Sequence, residues 1–216
     1  MPVITLSRTF GSGGSLVAAS VADRLGWGLL DNALVERVAV GLQTTPAYVQ
    51  AIEERSPSFA ERIANVFAYS SQEMLSAPVD GPLPPTEDRI LEVTRRVIDE
   101  AVARGPVVLV GRGAQSRLAT SDDAMHVLCV TTRSAAVARV MARDGLTQAD
   151  AERMVDDTNS DRLAYVKRHW KRDWLAPHNY HLCVNTGWLG IEPAADLVVR
   201  MAKERFPDST RAQPLA

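Results

Sequence analysis

Near the start of the chain, the run Ser7-Arg8-Thr9-Phe10-Gly11-Ser12-Gly13-Gly14-Ser15 holds three glycines within four positions. A short apolar stretch, 3–6, precedes it and an amphipathic stretch, 15–25, follows. Glycines in a strand-to-helix turn let backbone N–H groups face inward, and the start of a helix adds partial positive charge. Together these cradle a phosphate. A tight turn without a ligand is the plain alternative, and the density of glycine favours the phosphate.

Two phosphate motifs compete for this turn. In G-x-x-x-x-G-K-[ST] the slots fall on Arg8, Gly13, Gly14 and Ser15, so the second glycine and the magnesium-facing hydroxyl are present and the lysine is not. In the dinucleotide turn G-x-G-x-x-G, with an acid about 20 residues on, Gly11, Gly13 and Asp31 match while Leu16 stands at the third glycine. By motif alone the two are level. Arginines break the tie. Arg112 lies in Gly111-Arg112-Gly113 after the apolar run 107–110. Arg133, Arg139 and Arg143 follow the run 127–130, the last two on one helix face. Arg162 sits among Asp156, Asp157, Asn159 and Asp161. Several arginines around a phosphate loop suit two phosphorylated substrates, because phosphoryl transfer is mostly positioning and charge neutralisation. An NAD(P)-dependent oxidoreductase has no need of them.

The elements that must carry these residues are legible in the hydrophobic pattern. Apolar runs at 3–6, 28–30, 107–110, 127–130 and 182–184 read as strands buried on both faces of a parallel sheet. Helical periodicity fills 15–25, 87–104, 134–143 and 192–205. This alternation predicts an α/β fold with a doubly wound sheet. Residues 44–86 break the alternation with two expected helices, 46–54 and 58–75, and a Pro-rich loop around 77–85. The segment 207–216 reads as a disordered tail, which leaves 1–206 as a single domain.

Composition limits the partners. The chain has 216 residues, net charge −2 and 46% hydrophobic residues, with no run of the ~18–20 apolar residues that a bilayer span needs. Nothing drives it globally toward nucleic acid or membrane, and the start carries no signal-peptide pattern. Cys129 and Cys183 form no disulfide framework, so a reducing cytoplasm is the expected setting. Arginine outnumbers lysine 21 to 3, an excess that coding bias explains as well as function does; only arginines at strand ends carry an argument.

As a set, ITLSRTFGSGGSLVA (4–18), LLDNALVER (29–37), VVLVGRGA (107–114), VARVMAR (137–143), NSDRLAY (159–165) and NYHLCVNTGWLGIEPAADLV (179–198) resemble the cytidylate kinase-like family of nucleoside monophosphate kinase relatives. The resemblance implies a P-loop kinase-type sheet of five parallel strands in order 2-3-1-4-5, an acceptor-binding insertion (44–86) and a lid (about 139–175). It implies ATP and magnesium as cofactors and CMP or dCMP as the favoured acceptor, with small-molecule nucleotides as partners. Carried over by position, Gly11, Ser12, Gly13, Gly14 and Ser15 surround the donor phosphates, with Ser15 toward the magnesium. Asp31, Arg37 and Arg112 face the acceptor, and Arg139, Arg143 and Arg162 close over the transferring phosphoryl group. Three positions depart from cytidylate kinases proper: Gly14 replaces the loop lysine, Val110 an acid at the end of the third strand, and Glu36 a tyrosine before Arg37. Arg8 is the residue expected to return a cation toward the phosphates. A non-catalytic nucleotide sensor is the alternative these departures leave open.

Other features carry less. His169, His178 and His181 match no compact zinc spacing and read as surface histidines. The basic-aromatic stretch 167–174 invites an RNA reading that the net acidity weakens. Cys129 and Cys183 are expected as buried thiols on neighbouring strands, and Trp188 as a packing residue or a rest for an adenine. Apolar side chains of the insertion, Ile63, Val66, Phe67 and Tyr69, offer a homodimer surface.

Overall fold

In a computed structural model the structure describes residues 1–31 and 87–209. The expected insertion helices, Arg37, the dimer surface and residues 210–216 lie outside these described residues.

The five strands are β1 (Val3–Arg8), β2 (Gly28–Leu30), β3 (Val107–Val110), β4 (Ala124–Val130) and β5 (Leu182–Asn185). All pair in parallel in the order β2-β3-β1-β4-β5, as expected. Parallel pairing puts every carboxyl end on one edge of the sheet. The chain passes from β3 to the far side of β1 at β4, and this switch of direction opens a crevice at that edge.

Helices cover both faces because the strands alternate. Ile4, Leu6, Val108, Val110, Val127 and Cys129 point to one face and pack with α1 (Gly14–Leu25). Val3, Val107, Leu109 and Ala124 point to the other and pack with Ile90, Val93 and Ile98 of α2 (Glu87–Arg104). After β3 comes the short α3 (Ala114–Arg117). After β4 come α4 (Arg133–Asp144) and the long α5 (Gln148–Trp170), joined by their own core of Val137, Val140, Ala151 and Val155. Thr132 and Thr147 cap these two helices, accepting from the Ala135 and Asp150 amides. Beyond β5, α6 (Thr186–Leu189) leads to α7 (Ile191–Arg205). The segment expected as a tail begins with a 3-10 turn, Pro207–Ser209, whose Ser209 carbonyl accepts from the Trp27 indole at 3.2 Å.

Two expectations change. Cys129 is buried but Cys183 is exposed, because β5 is an edge strand. Trp188 is 83% exposed, so it is no packing residue. Among the described residues no helix is long and apolar enough to cross a membrane.

Candidate functional site

The glycine-rich turn leaves β1 at Arg8 and enters α1 at Gly14. Its backbone is pinned from four sides. The Thr9 amide donates to the Cys129 carbonyl (3.0 Å), and the Phe10 amide to Asn159 Oδ1 of α5 (2.8 Å). The Ser12 hydroxyl turns back onto the Thr9 carbonyl (2.7 Å), and the buried Thr186 hydroxyl donates to the Ser12 carbonyl. Gly11 is required where it stands: its φ is +74°, and a Cβ there would lie 2.7 Å from Ala136 Cβ. Gly13 caps α1 with no side-chain acceptor, so the first amides of that helix are offered to the crevice.

A groove runs along this turn, lined by Gly11, Gly13, Gly14 and Ser15 on one side and by Arg139 and Arg143 on the other. Ser12 is buried beneath it, and Ser15 is exposed to it. Arg139 donates to the Gly11 carbonyl. The Arg143 and Arg162 guanidinium carbons sit 5.3 and 5.6 Å from the centre of the Phe10 ring, which holds both arginines at the groove. Arg143 also pairs with its neighbour Asp144 (2.6 Å).

A second pocket opens at the carboxyl ends of β1 and β3. Arg112 and Gln115 line it with Tyr165, Trp174 and Tyr180. Arg8 and Arg162 belong to both cavities and stand between them. Arg162 donates to the Arg8 carbonyl at 2.9 Å, and Arg8 reaches Asp31 at 3.4 Å. Arg112 adopts a left-handed backbone, φ +55°, between two left-handed glycines, a strained arrangement of the kind found at ligand sites. Burial pushes its guanidinium down to about 10, helped by Arg8 and opposed by Tyr165 and Asp31, so it stays cationic at neutral pH. Burial raises the Tyr180 phenol to about 12, and its hydroxyl donates to the Trp174 carbonyl at 2.6 Å.

The structure thus brings together Arg8, Gly11, Gly13, Gly14, Ser15, Arg139, Arg143 and Arg162 along the groove, and Arg8, Arg112 and Arg162 at the pocket. Asp31 sits behind Arg8. That pairing engages the acid a dinucleotide site would aim at a ribose. Arg133 points elsewhere, bridging Glu152 and Asp156 on the outer side of α5. In the basic-aromatic stretch, Trp174 is buried and Trp170 packs against the Gly113 turn with Arg95 over its ring at 4.9 Å. Neither indole is a free stacking platform. The described residues hold no cluster of three His, Cys, Asp or Glu side chains suited to a metal. Sequence reasoning missed Phe10, Gln115, Tyr165, Trp174 and Tyr180. Phe10 lay inside the glycine run and Trp174 inside the basic-aromatic stretch, so these two carried a signal that could have found them.

Comparison with known proteins bears on the same residues. The model of the cytidylate kinase-like family matches residues 3–187, which takes in the loop, the Arg112 turn, α4, α5 and β5. A curated protein, the uronate isomerase of Corynebacterium glutamicum, is 31% identical over 125 residues; the match covers 56% of this chain and 23% of that protein's length. Among solved structures, an uncharacterized protein from Eubacterium ventriosum superposes with a TM-score of 0.67 at 19% identity, covering 93% of this chain and 98% of its own. Shikimate kinase from Acinetobacter baumannii, in complex with shikimate, gives 0.51 at 16% identity over 95% of each chain. At these identities the two structures speak for the fold, a P-loop kinase fold, while the family match runs through every element of the groove and the pocket: the chain belongs to the cytidylate kinase-like family.

Proposed function

We propose that the protein transfers the γ-phosphoryl group of ATP to a nucleoside monophosphate, CMP or dCMP being favoured, or to a similar small phosphorylated acceptor. The observation that carries this reading is the pair of cavities meeting at Arg8 and Arg162. A donor in the groove and an acceptor in the pocket face each other across two cations, which is the arrangement an in-line transfer needs.

The amides at Gly11, Gly13, Gly14 and Ser15 take the donor phosphates, with Ser12 fixing the turn from below. Arg112 takes the acceptor's anion, with Arg37 as its expected companion and Asp31 orienting Arg8. Arg139, Arg143 and Arg162 offset the charge on the transferring group. Magnesium is held by one or two protein oxygens and mostly by substrate phosphates. The exposed Ser15 hydroxyl on the groove, with no cluster of acids in the described residues, fits an ion delivered on the triphosphate. Bound there, the ion would supply charge neutralisation.

The test follows ³¹P signals of Mg·ATP with CMP, dCMP, UMP, AMP and GMP, and with glucuronate because a curated relative is named a uronate isomerase. Phosphate should appear on one acceptor and should be lost with Arg112→Ala. The second reading, a nucleotide sensor without turnover, is favoured by Gly14 and by Val110, which is 1% exposed in the core and offers no acid to the site. ATP binding with no phosphorylated product would select it over the kinase.

A further inference from the structure

The lysine missing from the loop and the arginine at the end of β1 are claims on one space. In the lysine-bearing motif the first slot is glycine and the seventh is lysine. Here the first is Arg8 and the seventh is Gly14. A Cβ at position 14 would lie 2.5 Å from Arg8 Cβ and 3.1 Å from Arg8 Cγ. At the other end of the same side chain, a Cβ at position 111 would lie 1.9 Å from an Arg8 terminal nitrogen, and Gly111 has φ +71° besides. Side-chain carbons do not approach below 3.0 Å. Arg8 therefore runs through a slot with Gly14 at its stem and Gly111 at its head, and Asp31 steadies the guanidinium.

We propose that the cation and the glycine have exchanged places in this loop, and that Gly14 and Gly111 are positioning residues that seat Arg8 at the boundary of groove and pocket. The inference rests on the kinase reading for the substrates. It deepens that reading by giving the absent lysine a replacement and a geometric reason. A lysine rising from the first turn of α1 delivers a point charge to the donor alone. A planar guanidinium between two cavities has separate N–H edges for two anions. Arg8 forms no bond in the transfer. The bond from the β–γ bridging oxygen to the γ-phosphorus breaks and its electron pair leaves with ADP, while an anionic acceptor oxygen forms the new bond to phosphorus. Arg8 offsets charge on both sides of that phosphorus.

The experiment is a cycle of variants read by the dissociation constant of Mg·ATP and by thermal melting. Gly14→Lys alone should lower Tm and weaken Mg·ATP, since the new stem meets Arg8. Arg8→Gly alone should weaken Mg·ATP by about 10- to 100-fold, the usual size of a lost charge-assisted phosphate contact. The double variant Arg8→Gly/Gly14→Lys rebuilds the full lysine motif and should bind Mg·ATP at least about 10-fold tighter than either single variant. Arg8→Met keeps a stem of similar length in the slot without the charge. It should hold the wild-type Tm while losing affinity, which separates positioning from folding. Additive effects in the cycle overturn the proposal, as does a Gly14→Lys protein that binds Mg·ATP tightly at the wild-type Tm. Wild-type protein that binds Mg·ATP without phosphorylating any acceptor defeats only the kinase reading. Protein that binds no Mg·ATP defeats both.

Discussion

Acid should unfold this protein early, through one histidine. His126 is 3% exposed in the middle of β4, and its Nδ1 lies 2.7 Å from the Thr5 hydroxyl of β1. The His181 ring stacks on it at 5.0 Å between centres, and the His126 backbone amide donates to His181 Nδ1 at 3.0 Å. The Leu118 carbonyl hydrogen-bonds to it, and Arg172 adds a repelling charge. Burial, seconded by His181, pushes its pKa down from 6.5 to about 4. The folded state thus holds the neutral ring while the unfolded chain takes up a proton. The stability this ring permits is complete above pH 6.5 and is lost as pH falls toward 4. Linkage over that interval gives a loss of about 2 kcal/mol between pH 7 and pH 5, or about 4–8 °C in Tm for a chain of this size. The carboxylates with depressed pKa values, Asp144, Glu152 and Asp156, start from 3.8 to 4.5 and titrate below that window, so among the described residues the interval belongs to His126. Denaturant melts at pH 7, 6 and 5 for wild type and His126→Gln provide the assay. The variant's curve should be flat over this range whatever its absolute stability. A flat curve for the wild-type protein would refute the reasoning.

Restoring the acid that cytidylate kinases carry at the end of β3 should fail here. Val110→Asp would place an unpaired carboxylate at a site 1% exposed among Leu6, Val17 and Val127, costing about 3 kcal/mol or more, so melting should show a large fall in Tm and no gain in turnover. Thr186→Val keeps the shape but leaves the Ser12 carbonyl, and the Val130 carbonyl 3.2 Å away, without the hydroxyl donor. The loss should be roughly 1–2 kcal/mol, about 2–8 °C in Tm, with weaker Mg·ATP binding measured by calorimetry on the same sample.

The inner strands β1, β3 and β4 were legible because they are buried on both faces, so each is a nearly unbroken apolar run between glycines and polar turns. The exception taught by Cys183 follows from the same rule. Burial on both faces fails at an edge, and a strand's place in the sheet is not written in its own residues. The long helix α5 was not legible as one element. Of its residues only Ala151, Val155 and Val166 are buried, too few for a stripe of helical period, and its middle is crowded with Asp156, Asp157, Asn159 and Asp161. Yet this helix brings Asn159, Arg162 and Tyr165 to the site. The aromatic wall of the pocket fared worse. Trp174 and Tyr180 come from an irregular stretch between α5 and β5, where no periodicity marks them.

A sensor and a kinase ask different things of this crevice, and Arg112 tells them apart. Under the proposed reading, binding ATP would need the groove alone: the loop amides, Ser15 and the arginines of α4. The Arg112 turn serves the pocket. A non-glycine residue held at φ +55° between two left-handed glycines costs on the order of 1 kcal/mol or more, and burial that pushes a guanidinium down to about 10 is a further cost. Neither helps to bind a nucleotide in the groove. Both are accounted for if a second anion enters the pocket, because the strained turn presents the half-buried cation to it beside Arg8 and Arg162. The strain therefore argues for an acceptor, and an acceptor facing a bound triphosphate across two shared arginines is the substrate of a transferase.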